Sequence, residues 1–177
     1  FVFLLVEVYF KTRNKWRYLA TLLIFGVISE VPFDMFTTSE YFNINWNNIM
    51  FTLGLVLITI WVIDTLKVKM ESLPLPAWFL VSFAIVAVSC LIAMNLSLDY
   101  EHHAILVGYF FYIFHERELL SIPFNFASMY KEPWALLGFG LVLTYNGKRG
   151  RQSKPVNYLF YPVRLLILGL IRMKLGV

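Results

Sequence analysis

Four ionisable side chains lie inside otherwise apolar stretches and are the first candidates for chemistry: Glu7, Glu30, Asp64 and Arg164. A charge at the middle of a bilayer costs at least about 2.5–3.5 kcal/mol, so such residues usually mark a functional site. Glu7 and Arg164 lie deepest, and a structural pair between them is the alternative interpretation. Asp64 is expected near a helix end, where Lys67 follows at the i,i+3 spacing that favours an ion pair.

Three histidines, His102, His103 and His115, are the next candidates, because a neutral imidazole can accept a proton near pH 7. Neighbouring residues on a helix point about 100° apart, so His102 and His103 cannot share one face. The spacing of two histidines at i,i+4 found in HExxH sites is missing, and we expect no metal site. The alternative is that all three are polar residues at a membrane interface.

The composition predicts an all-α, polytopic transmembrane helical bundle. The chain has 177 residues, of which 59% are hydrophobic and only 15% are charged. A soluble domain of this size carries about 25% charged residues. No repeat or linker divides the chain, so residues 1–177 are expected to form one integral membrane domain. Its expected surroundings are the lipid bilayer, with no nucleic acid among its partners.

The apolar segments set the number of expected membrane crossings, since a helix needs about 20 apolar residues to span a bilayer. The segments expected to span the bilayer are Tyr18–Phe33, Ile49–Leu66, Ala77–Leu96 and Tyr158–Met173. Phe1–Phe10, at the start, is a half segment. Pro32 is expected to end the second segment. Three shorter apolar runs follow one another as His103–Phe114, Leu119–Tyr130 and Pro133–Tyr145.

Charge in the connecting loops orients these segments. Basic residues concentrate in loops 11–17 and 146–155, whereas loops 34–47 and 97–101 carry only acidic charges. The positive-inside rule places both basic loops in the cytoplasm. That arrangement requires three crossings between residues 103 and 145. We therefore expect seven full membrane segments preceded by a partial first one, whose missing half would belong to a longer natural N-terminus.

The loop sequence "YNGKRG" (145–150) favours a tight turn that could bind an anion. Asn-Gly pairs adopt such turns readily, and backbone N–H groups beside Lys148 and Arg149 would form an anion cradle. A highly anionic donor arriving from the cytoplasm would suit this loop. Lys11 and Arg13, in the other basic loop, could provide a second wall.

Several short motifs, in this order, resemble the TraX-like membrane proteins, whose founding activity is N-terminal acetylation of conjugative pilin. The motifs are "FLLVEVYFKTRNKWRY" (3–18), "LLIFGVISEVPFD" (22–34), "NIMFTL" (48–53), "LDY" (98–100), "TYNGKRG" (144–150) and "YLFYPVRLLIL" (158–168). The resemblance covers nearly the whole chain. It implies a multi-pass acyltransferase of the bacterial inner membrane that uses cytoplasmic acetyl-CoA or another acyl-CoA. The acceptor would be a pilin N-terminus, another exported protein or an envelope glycan.

The resemblance also suggests roles for individual residues. Glu7 would be a polar anchor in the catalytic centre, Arg164 a charge partner or oxyanion donor, and Tyr145 and Tyr161 possible hydrogen-bond donors. The expected donor-binding residues are Asn146, Lys148, Arg149, Lys11 and Arg13.

The chain departs from the family pattern where catalysis is concerned. Members usually begin with a further membrane helix that carries an Asp-His pair, the natural general base. Arg164 stands where a His is expected, and Thr21 where an Arg is expected. Two other functions therefore stay open: a non-catalytic assembly or scaffold subunit, and a small transporter. Against transport, the hydropathy shows no inverted repeat.

Overall fold

The fold is all-helical in a computed structural model that describes residues 1–43, 45–130, 134–147 and 154–175. The helices within these ranges are α1 (Val2–Lys11), α2 (Lys15–Thr37), α3 (Ile49–Lys69), α4 (Leu75–Asn95), α5 (Glu101–Ile113), α6 (Glu118–Ser128), α7 (Ala135–Leu143) and α8 (Lys154–Leu175).

Local sequence explains where the long helices begin. The side chain of Asn14 accepts a hydrogen bond of 2.9 Å from the backbone N–H of Arg17, which caps α2. Asn48 caps α3 in the same way, at 3.0 Å from the N–H of Met50. Both caps satisfy backbone donors that the first helical turn leaves without a partner.

Four of the described helices are long and apolar enough to cross a membrane, as expected for an integral membrane protein: Lys15–Thr37, Ile49–Lys69, Leu75–Asn95 and Val156–Leu175. The other described helices are shorter, with 9 to 13 residues. The predicted helical class is therefore confirmed, and the count of seven full segments stays a prediction.

The prediction that Pro32 ends the second segment is wrong. Pro32 is buried inside α2, which continues to Thr37. A proline removes one backbone donor, but a helix without competing water tolerates this loss when its neighbours pack around it. Pro123 and Pro162 likewise lie inside α6 and α8.

The centre of the bundle is the contact between α3 and α5. Leu57, Ile60 and Ile63 of α3 are completely buried, and Ile105 of α5 is nearly so. Gly108 allows the two helices to approach closely, because a Cβ atom there would lie 2.4 Å from the Cγ1 of Val56. α1 packs against this central pair.

The helix ends define two faces of the bundle. We call the face that contains Lys11, Lys15 and Lys69 the basic end, and the face that contains Asp34 and Asp99 the acidic end. α1 and α3 finish at the basic end, where α2 begins.

α8 lies along α2 and runs in the same direction. The ring of Tyr158 stacks on Phe25, with 5.1 Å between centroids, and Gly169 packs against Met35 farther along. The guanidinium of Arg172 donates to the backbone carbonyl oxygen of Thr37 at 2.7 Å. These contacts show that α8, like α2, approaches the acidic end with its C-terminus.

The short helices α5, α6 and α7 run alternately between the two ends. His103, at the start of α5, contacts the carbonyl oxygen of Ser128 at the end of α6. The end of α7 returns to α1, where the Tyr145 hydroxyl lies 3.2 Å from the Lys11 amine. The three apolar runs noted in the sequence therefore form three separate helices.

Candidate active site

A buried carboxylate at the basic end organises the first half of the site. Glu7 lies on α1 and is only 7% exposed. Its Oε2 is 2.6 Å from the Lys11 amine, one helical turn later. Its Oε1 is 3.1 Å from Nε2 of His115, just beyond α5. The Oε1–Nε2 contact lacks the geometry of a hydrogen bond, and the carboxylate lies between an ammonium and an imidazole. A carboxylate beside an imidazole is an arrangement found in general-base sites.

Lys11 connects this carboxylate to the loop that follows α7. Its amine donates to the Tyr145 hydroxyl at 3.2 Å and to the carbonyl oxygen of Gly147 at 3.1 Å. The hydrogen bond to Glu7, followed by that to Tyr145, raises the pKa of Lys11. The ammonium therefore stays charged at neutral pH and holds the beginning of the "YNGKRG" loop against α1.

Asp64, on α3, organises the second half of the site. Its Oδ2 accepts hydrogen bonds from the hydroxyl of Tyr9 at 2.6 Å and from the amine of Lys15 at 3.2 Å. Its Oδ1 accepts one from the hydroxyl of Tyr112 at 3.0 Å. The expected ion pair with Lys67 is thus replaced by a pair with Lys15, because α1 and α2 bring their ends to the end of α3.

Aromatic rings join the two carboxylate clusters. Phe10 stacks on Tyr112, with 5.7 Å between centroids and an angle of 4° between the rings. Phe10 also packs against His115, with 3.8 Å between ring centroids. The side chain of Phe10 therefore connects the Glu7 cluster with the Asp64 cluster and packs against the imidazole.

A pocket of about 380 Å³ opens beside these rings. Its apolar walls are formed by Phe10, Leu75, Trp78, Phe79, Tyr112 and Ile113, and its polar groups are Asp64, Lys67 and His115. The His115 side chain is 23% exposed. The imidazole therefore borders a space into which a small molecule can enter.

The shortness of α5 explains why this pocket exists. Its 13 residues rise only about 20 Å, whereas a bilayer core is about 30 Å thick. Beyond Ile113 the chain turns away, and α3 and α4 are left with space between their ends. His115 lies at this point, so the end of a short helix delivers an ionisable group into the body of the bundle.

The structure separates the predicted site residues into two groups. Glu7, Lys11 and Tyr145 lie together, and the exposed Asn146 follows directly in the chain. Arg13 is exposed in the turn between α1 and α2. Lys148 and Arg149 lie outside the described residues.

Tyr161 and Arg164 do not join the Glu7 cluster. Tyr161 lies near the acidic end, where the backbone N–H of Ile49 hydrogen-bonds to its phenol oxygen. Arg164 is exposed on α8, and Glu7 is paired with Lys11 and His115. The alternative of a Glu7–Arg164 pair is therefore not found among the described residues, because α8 packs along α2 while α1 packs against α3 and α5.

The acidic end has its own polar contacts. The carboxylate of Glu30 accepts a hydrogen bond from the side-chain amide of Asn48, and Asp34 accepts one of 2.8 Å from the backbone N–H of Asn43. Burial raises the pKa of Asp99, although a backbone hydrogen bond from Tyr100 acts against this effect. The hydrogen bonds of Glu30 and Asp34 connect the loops at this end to the end of α2.

Sequence reasoning gave too little weight to His115, Asp64 and the tyrosines Tyr9 and Tyr112. One signal was available in the sequence. Glu7 and Tyr9 lie within one helical turn of Lys11, and Asp64 lies within one turn of Lys67 at the end of α3. Their convergence depends on how the helices pack, which a single sequence does not display.

Comparison with known proteins now adds to this geometry. A family model described as "TraX protein" matches residues 1–172. The chain belongs to the TraX family. This TraX-family chain is also 27% identical over 188 aligned positions to a protein of Dichelobacter nodosus described as "Probable fimbrial assembly protein FimC, serogroup H1". The alignment covers 94% of the chain and 75% of that relative. No solved structure shows significant similarity.

Proposed function

We propose that this TraX-family protein is a multi-pass membrane acyltransferase. It would move an acetyl or other acyl group from cytoplasmic acyl-CoA to an acceptor such as a pilin N-terminus or an envelope glycan. The observation that carries this proposal is the 3.1 Å contact between Glu7 and His115 at the wall of a pocket. A carboxylate beside an imidazole is a general-base arrangement used in acyl transfer, and such catalytic hydrogen bonds often align only when the substrate binds.

The proton transfers follow from which ring nitrogen the carboxylate contacts. Nε2 of His115 is buried beside Glu7, so Nδ1 is the atom that accepts the proton from the acceptor's N–H or O–H group. The acceptor atom attacks the thioester carbonyl carbon, and the bond between that carbon and sulfur breaks. The proton on Nδ1 then passes to the leaving thiolate. Glu7 stabilises the imidazolium between these two transfers.

Positive charge at the basic end favours the binding of an anionic donor such as acyl-CoA. Lys67 borders the pocket, and Lys11 holds the start of the "YNGKRG" loop beside Glu7. Lys148 and Arg149 follow within four residues of Tyr145 in the sequence. Phosphate groups form strong charge-assisted hydrogen bonds with such side chains.

Donor binding is the direct test. We expect the purified protein to bind CoA and acetyl-CoA with an affinity that falls steeply as salt is added. The Lys148→Ala/Arg149→Ala variant should bind at least tenfold more weakly, about 1.4 kcal/mol. Lys174→Ala removes a positive charge at the opposite end and should leave binding unchanged.

A folded protein that binds neither CoA nor acetyl-CoA would contradict the donor and, with it, the acyltransferase proposal. Equal binding by the native protein and the double variant would instead remove only the role of Lys148 and Arg149. Thermal unfolding of each variant in detergent serves as the folding control.

We also propose seven full membrane segments preceded by a partial one, in the bacterial inner membrane, with loops 11–17 and 146–155 in the cytoplasm. The alternating directions of α5, α6 and α7 support this topology, as does the concentration of lysines at one end of the bundle. The acyl-CoA pool is cytoplasmic, so the pocket at the basic end would face its donor.

A non-catalytic assembly or scaffold subunit is the second candidate, favoured by the description of the relative as a probable fimbrial assembly protein. The two functions differ in what they require of the site. A scaffold would keep its cellular function when His115 is replaced by Ala, whereas an acyltransferase would lose it.

A further inference from the structure

We infer that the pocket between α1, α3, α4 and α5 accommodates an acyl chain longer than acetyl. This inference rests on the proposed function and specifies the donor: an acyl-CoA of medium chain length. The juxtaposition that carries it is a largely apolar space that ends at the proposed base, His115.

The size of the pocket is the first argument. Its volume is about 380 Å³. A dry apolar cavity of about 150 Å³ accommodates benzene, with its six carbon atoms. By that proportion this pocket accommodates about fifteen non-hydrogen atoms. An acetyl group contributes three such atoms, so acetyl would leave most of the apolar wall without contacts.

The chemistry of the walls is the second argument. Phe10, Trp78 and Phe79 present aromatic surface, and Leu75 and Ile113 present aliphatic surface. These side chains offer dispersion contacts and exclude water, and they offer few hydrogen bonds. Such a wall suits a hydrocarbon chain better than a sugar or a peptide backbone.

The state of Asp64 is the third argument, because a free carboxylate would oppose a hydrocarbon ligand. Both oxygens of Asp64 already accept hydrogen bonds, from Tyr112 on one side and from Tyr9 and Lys15 on the other. The ammonium of Lys15 balances its charge. The carboxylate thus has its partners within the protein and does not require one from the ligand.

The positions of the lysines determine the orientation of the acyl-CoA donor in the pocket. Lys67 borders the pocket near the end of α3, and Lys11 lies beyond Glu7. A donor whose phosphates stay near these cations would place its thioester near His115 and its hydrocarbon end toward Trp78.

The test compares binding of acetyl-CoA, octanoyl-CoA and free octanoate to the purified protein in lipid nanodiscs. We expect octanoyl-CoA to bind at least tenfold more tightly than acetyl-CoA, and octanoate alone to bind weakly. Leu75→Trp, at the exposed edge of the pocket, should weaken octanoyl-CoA binding and so reduce the difference between the two thioesters to less than twofold. Leu80→Trp is the matched control, because Leu80 is exposed on the same helix and does not border the pocket.

Three results would overturn the inference, and they differ in what they mean. Equal binding of both thioesters would remove the chain-length preference and leave the acyltransferase proposal standing. Octanoate binding as tight as that of octanoyl-CoA would make the pocket a site for membrane lipid chains. If the folded protein bound no CoA compound, the proposed donor would fail together with this inference.

Discussion

At the scale of single residues, the site depends on how two carboxylates are paired. Glu7 contacts His115, an ionisable partner whose protonation can change during a reaction. Asp64 accepts hydrogen bonds from two tyrosines and a lysine, which use both of its oxygens. The first environment suits proton transfer, and the second suits structural support of α1. The two carboxylates lie at the same end of the bundle and serve different purposes.

His115 is the residue whose replacement separates catalysis from binding. We expect His115→Ala to lower the rate of acyl transfer by at least about 10²-fold, the usual minimum contribution of a general base. Donor affinity should change less than twofold, because the phosphates bind elsewhere. Transfer of radiolabelled acetyl from acetyl-CoA to a pilin N-terminal peptide is the measurement, with donor binding measured on the same samples.

His102→Ala is the matched control for this variant, since His102 lies near the acidic end of the bundle. Glu7→Gln should reduce the rate as well, because the amide carries no negative charge beside the imidazolium that forms during transfer. If His115→Ala transferred acetyl at the native rate, the proposed base would be wrong.

At the scale of elements, the sequence predicts the long helices well and their contacts poorly. Asn14 and Asn48 are recognisable helix caps, and long apolar runs follow them. Pro32 misled the prediction, since proline ends helices in water more often than in a packed membrane bundle. The pairing of Asp64 with Lys15 joins residues 49 positions apart, and no local pattern encodes such a contact.

Gly108 offers a test of the central contact between α3 and α5. We expect Gly108→Ala to destabilise the protein by about 1–3 kcal/mol, because the added methyl group overlaps with Val56. Gly138→Ala in α7 is the matched control: among the described residues, no atom beyond the neighbouring backbone of α7 lies within 4 Å of the added methyl group. Alanine favours a helix by about 1 kcal/mol over glycine, so this control should be neutral or slightly stabilising.

Thermal unfolding in detergent measures both glycine variants. A lower midpoint for Gly108→Ala and an unchanged or higher midpoint for Gly138→Ala is the expected result. Equal midpoints for the two variants would show that α3 and α5 do not approach each other as closely as described.

At the scale of the whole molecule, the distribution of charged residues agrees with the directions in which the helices run. The lysines of α1, α2 and α3 meet at one end, where Glu7 and Asp64 pair with two of them. Glu30, Asp34 and Asp99 lie at the other end. The short helices complete the alternation between these ends although none reaches the usual length of a membrane span. The sequence predicts this arrangement from loop charge alone. The positive-inside rule concerns only the side on which a loop lies, so it does not depend on how the short helices tilt.

Labelling of single cysteines tests this arrangement. In a Cys90→Ala background, we expect Lys69→Cys and Arg117→Cys to react with an impermeant maleimide only after the inner membrane is opened. Tyr41→Cys and Tyr130→Cys should react in intact spheroplasts. The pair at positions 117 and 130 is decisive for α6, whose ends lie near them. Labelling of both from the same side would show that α6 does not cross.

The contacts of Lys11 have a consequence for the order in which the protein is made. Its amine holds Tyr145, which follows 134 residues later in the chain. At about 5–20 residues per second, a ribosome needs about 7–27 s to synthesise that interval. During this time α1 already exists, while Tyr145 has still to be synthesised. Until α7 is synthesised, the Lys11 amine can pair with Glu7, which lies four residues earlier in the same helix.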